Sequence, residues 1–169
     1  MMTASADKDC GVIFTCTAHF VEPDKNSSYF YERMNVVPSE TAQLASDLFD
    51  SGGCLRPEYR SRGTCQDVTS WDNELDSGDI FVFERFKVDK PLQRKGSAKS
   101  LCDNLIGQAI KESQHFSAIV APGALESEYR DYAGQEKEKV VKEQVSIAVQ
   151  FELAQGFRRD RGSNWLALT

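Results

Sequence analysis

A chain of 169 residues is long enough for one domain with a sizeable core and too short for two ordinary ones. Its 40% hydrophobic and 27% charged residues give the balance of a soluble globular protein. A net charge of -6 argues against non-specific binding to nucleic acid, while an acidic surface suits cationic amines.

Residues 1–10 are polar and lack the apolar centre of a signal peptide, and no stretch reaches the roughly 18–20 apolar residues of a transmembrane helix. A cytoplasmic or nuclear protein with no membrane attachment is expected. Cys10, Cys16, Cys54, Cys65 and Cys102 are odd in number and form no CxxC pair, which fits reduced thiols. The two histidines, His19 and His115, have no ligand-spaced neighbours, so neither a metal site nor a histidine-based hydrolase triad is expected.

In chain order, β-branched and aromatic residues at 11–21 predict a first strand, and 22–28, with Pro23, Asp24 and Asn26, a turn. Residues 29–37 read as a second strand. Pro38-Ser39-Glu40 starts a helix whose apolar face carries Ala42, Leu44, Ala45, Leu48 and Phe49, and which Gly52-Gly53 ends. Residues 54–78 are polar and irregular, with Arg56, Arg60 and Arg62, and are expected to form a solvated excursion. Residues 80–88 (IFVFERFKV) form a long strand with Ile80, Val82, Glu84, Phe86 and Val88 of one parity.

Residues 96–112 form a helix, with Leu101, Cys102, Leu105, Ile106, Ala109 and Ile110 on one stripe. Residues 116–121 (FSAIVA) are a short strand stopped by Pro122-Gly123. A second long helix spans 136–155; Val141, Val145, Ala148, Val149 and Leu153 face the core, and Glu138 and Lys142 are spaced to pair. A last strand, 164–168, follows the basic turn Arg158-Arg159-Asp160-Arg161, where solubility is the expected role of the arginines. The expectation is a single α/β domain over 1–169, without internal repeats.

The junction 88–98 (VDKPLQRKGSA) carries the chemistry. A strand running into an amphipathic helix leaves backbone N–H groups unpaired at the positive helix end, which suits a phosphate. Gly96 and Ala98 leave room for an anion, and Arg94, Lys95 and Lys99 add positive potential. A P-loop is ruled out, because Gln93 and Ala98 stand where GxxxxGK[ST] needs glycine, and no GxGxxG dinucleotide fingerprint is present.

The hexapeptide QRKGSA, 93–98, fits [QR]xxGx[GA], the acetyl-CoA signature of the GNAT acetyltransferase superfamily. The chain resembles that family also in Val88 ending an apolar strand five residues before Gln93, and in Ala148, Phe151, Gly156 and Phe157 preceding a last strand. The resemblance runs from about residue 80 to 168. It implies a GNAT fold, a central splayed mixed sheet flanked by helices, with the strand 80–88 diverging from 116–121. It also implies that main-chain groups of Phe86, Lys87 and Val88 meet the pantetheine arm, and that amides of Gln93, Arg94, Lys95, Gly96, Ser97 and Ala98 hold the pyrophosphate.

The same resemblance implies direct attack of an amine on the thioester of acetyl-CoA, the acceptor being a small molecule or a peptide. Glu84, on the cofactor strand, is the candidate general base, with Asp79 second. The family commonly has a tyrosine acid after the phenylalanine; here that position is Glu152, which donates a proton only if burial raises its pKa. A frequent asparagine is replaced by Val145. Tyr129 and Tyr132 are alternative donors. These departures keep open a second reading, a catalytically degenerate domain that binds acyl-CoA or another protein. A scaffold turned to other acyl-CoA chemistry is a third, which no residue supports.

Overall fold

A computed structural model describes residues 2–8, 12–21, 30–35, 39–59, 71, 74–88, 93–124, 126–159 and 163–169. Its strands are β1 (Met2–Lys8), β2 (Val12–Val21), β3 (Asp79–Val88), β4 (Phe116–Val120), β5 (Arg158–Arg159) and β6 (Leu166–Leu168). Its helices are α1 (Phe30–Asn35), α2 (Ser39–Leu48), α3 (Ser97–Glu112), α4 (Glu126–Tyr129) and α5 (Gly134–Ala154). The strands form one six-stranded mixed sheet in the order β1-β2-β3-β4-β6-β5. Only β3 and β4 run parallel, joined through α3; the other pairings are antiparallel.

The two sheet faces carry separate cores. One holds Ile80, Val82, Ile119 and Trp165 against Phe30 and Met34 of α1 and Leu44, Ala45 and Leu48 of α2. The other holds Ala18, Phe81, Phe83, Ala118 and Val120 against Leu101, Cys102, Leu105 and Ala109 of α3. Alternation along β3 divides these sets, as a strand buried on both faces requires.

Several expectations need correction. Of the expected strand 29–37, the described residues 30–35 are helical: Phe30 and Met34, four apart and fully buried, lie on one face of α1. Aromatic β-propensity lost there to packing against α2, to which Thr41 Oγ1 ties the segment by donating to Met34 O at 2.9 Å. The polar residues 2–8 form edge strand β1, paired with β2 from Met2↔Ala18 to Lys8↔Val12. Such an edge is recruited by the free backbone of its neighbour, not by apolar alternation. Arg158 and Arg159 belong to β5 rather than to a turn. Arg158 is held by Glu74 and by Thr169, whose Oγ1 accepts from its guanidinium at 2.7 Å.

The segment 54–78 is no solvated excursion where it is described. Leu55, Trp71 and Leu75 are buried, and the Trp71 indole donates to Arg158 O at 3.1 Å. Arg56 serves structure rather than solubility: its guanidinium donates to Ser46 O at 2.7 Å and Phe49 O at 3.0 Å, carbonyls at the end of α2. Arg60 and Arg62 lie outside the described residues. Arg56→Met keeps the alkyl stem and strips both bonds; urea unfolding at constant m should show a loss of about 1–2 kcal/mol.

The stripes of the two long helices also differ from expectation. Ile110 is 58% exposed, because the buried stripe of α3 ends at Ala109. On α5, Val141, Val145, Ala148 and Val149 are only half-buried, Leu153 is exposed, and Glu152 is the buried residue. Glu152 follows Ala148 by four residues, Val145 by seven and Val141 by eleven, so it closes their half-buried face, whereas Leu153 stands one step of about 100° away from it. Glu138 and Lys142 are both exposed, and among the described residues no ion pair joins them.

Candidate functional site: the parting of two parallel strands

The parallel ladder joins only Asp79–Phe83 to Phe116–Val120. Gly78 sets its start: at φ +76° its amide neighbourhood lies so close to His115 that a Cβ would stand 2.6 Å from the His115 carbonyl oxygen. The amide of Asp79 donates to that same oxygen at 3.0 Å. Beyond Phe83↔Val120 the pairing ends while β3 continues through Glu84 to Val88, held on its other side by β2. The β4-facing amides and carbonyls of that outer half have no partner in β4, which gives an extended ligand a strand edge to pair with.

A β-bulge marks the parting. Ala18 faces Phe83 and Thr17 faces Arg85, so Glu84 is the extra residue. The bulge slips the alternation by one. Val88, opposite Phe14, takes the parity of Phe83 and not that of Val82, which overturns the single-parity reading of the strand. Phe86 lies opposite Cys16 and Lys87 opposite Thr15 in this outer half. Glu84 is half-buried at the bulge itself. Sequence reading found this carboxylate but not the bulge, since no glycine or proline signals it.

Past Val88 the chain reaches the turn that opens α3. Gln93 Nε2 donates to Val88 O at 2.9 Å and fastens the turn to the strand end. Arg94 and Gly96 both have left-handed backbones, at φ 60° and φ 80°. Gly96 is the N-cap of α3, and no side chain caps the helix. A Cβ at Gly96 would meet nothing within 4 Å, so the space over the turn is open. Gln93, Arg94, Lys95 and Lys99 are exposed, and Ser97 and Ala98 are half-exposed. Lys99 pairs with Asp103 at 3.1 Å, leaving Arg94 and Lys95 as the cations nearest the bare amides among the described residues. An uncapped helix start with left-handed residues and flanking cations has the donor set and the room that a diphosphate needs.

The C-terminal end of α5 comes to the same region. Phe157, whose amide donates to Glu152 O at 3.2 Å, packs its ring 6.0 Å from that of Phe83, the last residue of β3 paired with β4. Glu152 is 6% exposed, and among the described residues its carboxyl has no hydrogen-bond or ion-pair partner. Burial alone lifts its pKa from 4.5 to about 7. Its neighbour across the α3–α5 contact is Cys102, whose thiol burial pushes up to about 12; the charges of Glu152 and Asp103 add to the rise and Lys99 opposes it. Cys102 therefore stays a thiol at neutral pH and is no nucleophile.

Of the other candidates, Asp79 sits at the opposite, paired end of β3 from the parting. Tyr129 is half-buried beneath the Lys137 ammonium, 4.9 Å from its ring centre, and Tyr132 is exposed. Val145 is half-buried on α5. Among the described residues no group of histidine, cysteine and carboxylate side chains is arranged to hold a metal ion, and no helix is long and apolar enough to cross a membrane.

Fold and site thus describe a mixed α/β protein in which two parallel strands part in front of an uncapped helix. No protein-family model, curated protein or solved structure matches the chain.

Proposed function

We propose that the chain is an N-acyltransferase of GNAT type, binding acetyl-CoA in the split between β3 and β4 and passing the acetyl group to an amine. The observation that carries this reading is the join of a strand segment that has parted from β4, 84–88, to a helix start at Gly96 that no side chain caps. The first offers main-chain partners to an extended amide-containing arm, and the second offers amides and positive potential to a diphosphate.

In the transfer, the amine nitrogen bonds to the thioester carbonyl carbon, the carbon–sulfur bond breaks with its electron pair leaving on sulfur, and the nitrogen sheds a proton. The half-buried Glu84 carboxylate at the bulge is suited to take that proton. Glu152, kept protonated up to about pH 7 by burial, is suited to return one to the thiolate. The tyrosine usual at that position in the family has a chemical substitute here, which favours an active enzyme over a binding-only domain.

Native mass spectrometry of the purified chain with acetyl-CoA, followed by CoA release against a panel of amines, tests the reading. One equivalent of acetyl-CoA should bind, and release above background hydrolysis should follow with an accepted amine. Binding without turnover on any amine would leave the acyl-CoA-binding module, and absence of binding would remove both.

A further inference from the structure

We propose that the buried rings of Phe83 and Phe157 form the end wall of the split and set the length of the acyl group it accepts, admitting acetyl and excluding longer groups. This assignment of donor length rests on the acyl-transfer reading and narrows its substrate class.

The length of the parted strand places the reacting end. Gln93 fastens the turn that opens α3 to Val88 O, so a diphosphate over Gly96 starts its arm at the Val88 end of β3. From Val88 back to Glu84 the extended backbone covers four residue steps, about 13 Å. The pantetheine arm has about twelve bonds from diphosphate oxygen to sulfur, and at three bonds per extended residue it too spans about 13 Å. Its sulfur therefore reaches Glu84, and the acyl group beyond it meets the pair Phe83↔Val120, where β3 and β4 close.

The closure is aromatic and braced. Phe83, Val120 and Phe157 are buried together on the α3 face of the sheet. Phe157 is fixed by the end of α5, where Gly156 turns left-handed at φ 94°. The Gly156 amide donates to Leu153 O at 3.1 Å and the Phe157 amide to Glu152 O at 3.2 Å, the paired bonds of a Schellman motif. The Phe157 ring meets Phe83 edge-on at 6.0 Å, Phe83 meets Phe81 at 5.0 Å, and Phe81 meets Phe116 at 6.1 Å. Edge-to-face contacts in series hold these rings in place. A hexanoyl group extends about 5 Å further than acetyl. It must displace a packed ring or draw the sulfur back from Glu84, and forcing atoms into a packed core is costly.

Titration calorimetry of the intact chain with acetyl-CoA and with hexanoyl-CoA tests the wall. Wild type should bind hexanoyl-CoA about tenfold or more weakly than acetyl-CoA. Phe157→Leu shortens the wall and should narrow that ratio to about threefold or less, with acetyl-CoA affinity within about threefold of wild type. Phe83→Leu should do the same and serves if the first variant fails to fold. Phe116→Leu is the structural control: it removes the ring at the far end of the series, opposite Asp79, and should leave the ratio as in wild type. Equal affinity for the two donors in wild type, or an unchanged ratio in the folded Phe157 and Phe83 variants, overturns the proposal while acetyl-CoA binding stands. A ratio narrowed as much by Phe116→Leu overturns it too, as general loosening of the core. Failure of wild type to bind acetyl-CoA removes the acyl-transfer reading and the wall with it.

Discussion

Gly96→Glu should abolish measurable acetyl-CoA binding, a loss of about a hundredfold or more, while the chain remains folded. The turn is open above Gly96, where an added Cβ meets no protein atom within 4 Å. It stands instead in the space assigned to the diphosphate, where its charge repels the ligand and opposes the helix N-terminus. At φ +80° any residue with a Cβ is strained, by roughly 1–2 kcal/mol, which for a chain of this size lowers the thermal midpoint by several degrees. Gly96→Asn separates the two effects, since asparagine tolerates a left-handed backbone and carries no charge. It should retain most of the affinity. Calorimetric titration of both variants decides the matter: equal acetyl-CoA affinity in wild type and Gly96→Glu would mean that the turn holds no phosphate.

Glu152→Gln should remove a pH dependence from both stability and turnover. In the folded chain the carboxyl stays protonated to about pH 7, whereas in the unfolded chain it ionises near its ordinary 4.5. Below the unfolded value both states hold the proton and the group costs nothing. As pH rises from 4.5 towards 7 the unfolded state loses its proton first, so stability falls, and above the folded value the deficit is constant. A rise from 4.5 to about 7 corresponds to roughly 3 kcal/mol. Denaturant titrations at pH 4.5 and pH 8 should therefore differ by about that much less in the variant than in the wild type. Turnover adds an independent reading. With Glu152 as proton donor, the wild-type rate falls as pH passes about 7; the variant should lose about a hundredfold in kcat, and that limb of the profile, with acetyl-CoA affinity little changed. A wild-type profile with no such limb would remove Glu152 from the chemistry and leave it a buried acid that only tunes stability.

The legibility of the site follows the range of the interactions that make it. The turn 93–96 was readable because its determinants are local: a glycine able to take φ +80°, a glutamine reaching back five residues to Val88, and a helix that begins at once. The helix 97–112 and the strand 116–120 were readable for the same reason, each carrying its own periodicity. The bulge at Glu84 was not, because it is a relation between β3 and β2 and leaves no mark in β3 itself. Nor was the burial of Glu152, a carboxyl at the end of the half-buried face that Val141, Val145 and Ala148 form on α5.

The same division holds along the whole chain. By itself the amino-acid sequence determined an α/β protein, most of the helices and strands described, and the strand-to-helix turn that opens α3. Tertiary structure alone decided that residues 30–35 coil rather than extend, that 2–8 and 158–159 join the sheet, and where the parallel strands part. It alone buried Glu152, with no hydrogen-bond or ion-pair partner for its carboxyl among the described residues. Local pattern records the preferences of neighbouring residues, whereas edge pairing, charge balance and desolvation depend on groups far apart in the chain, whose meeting no short window contains.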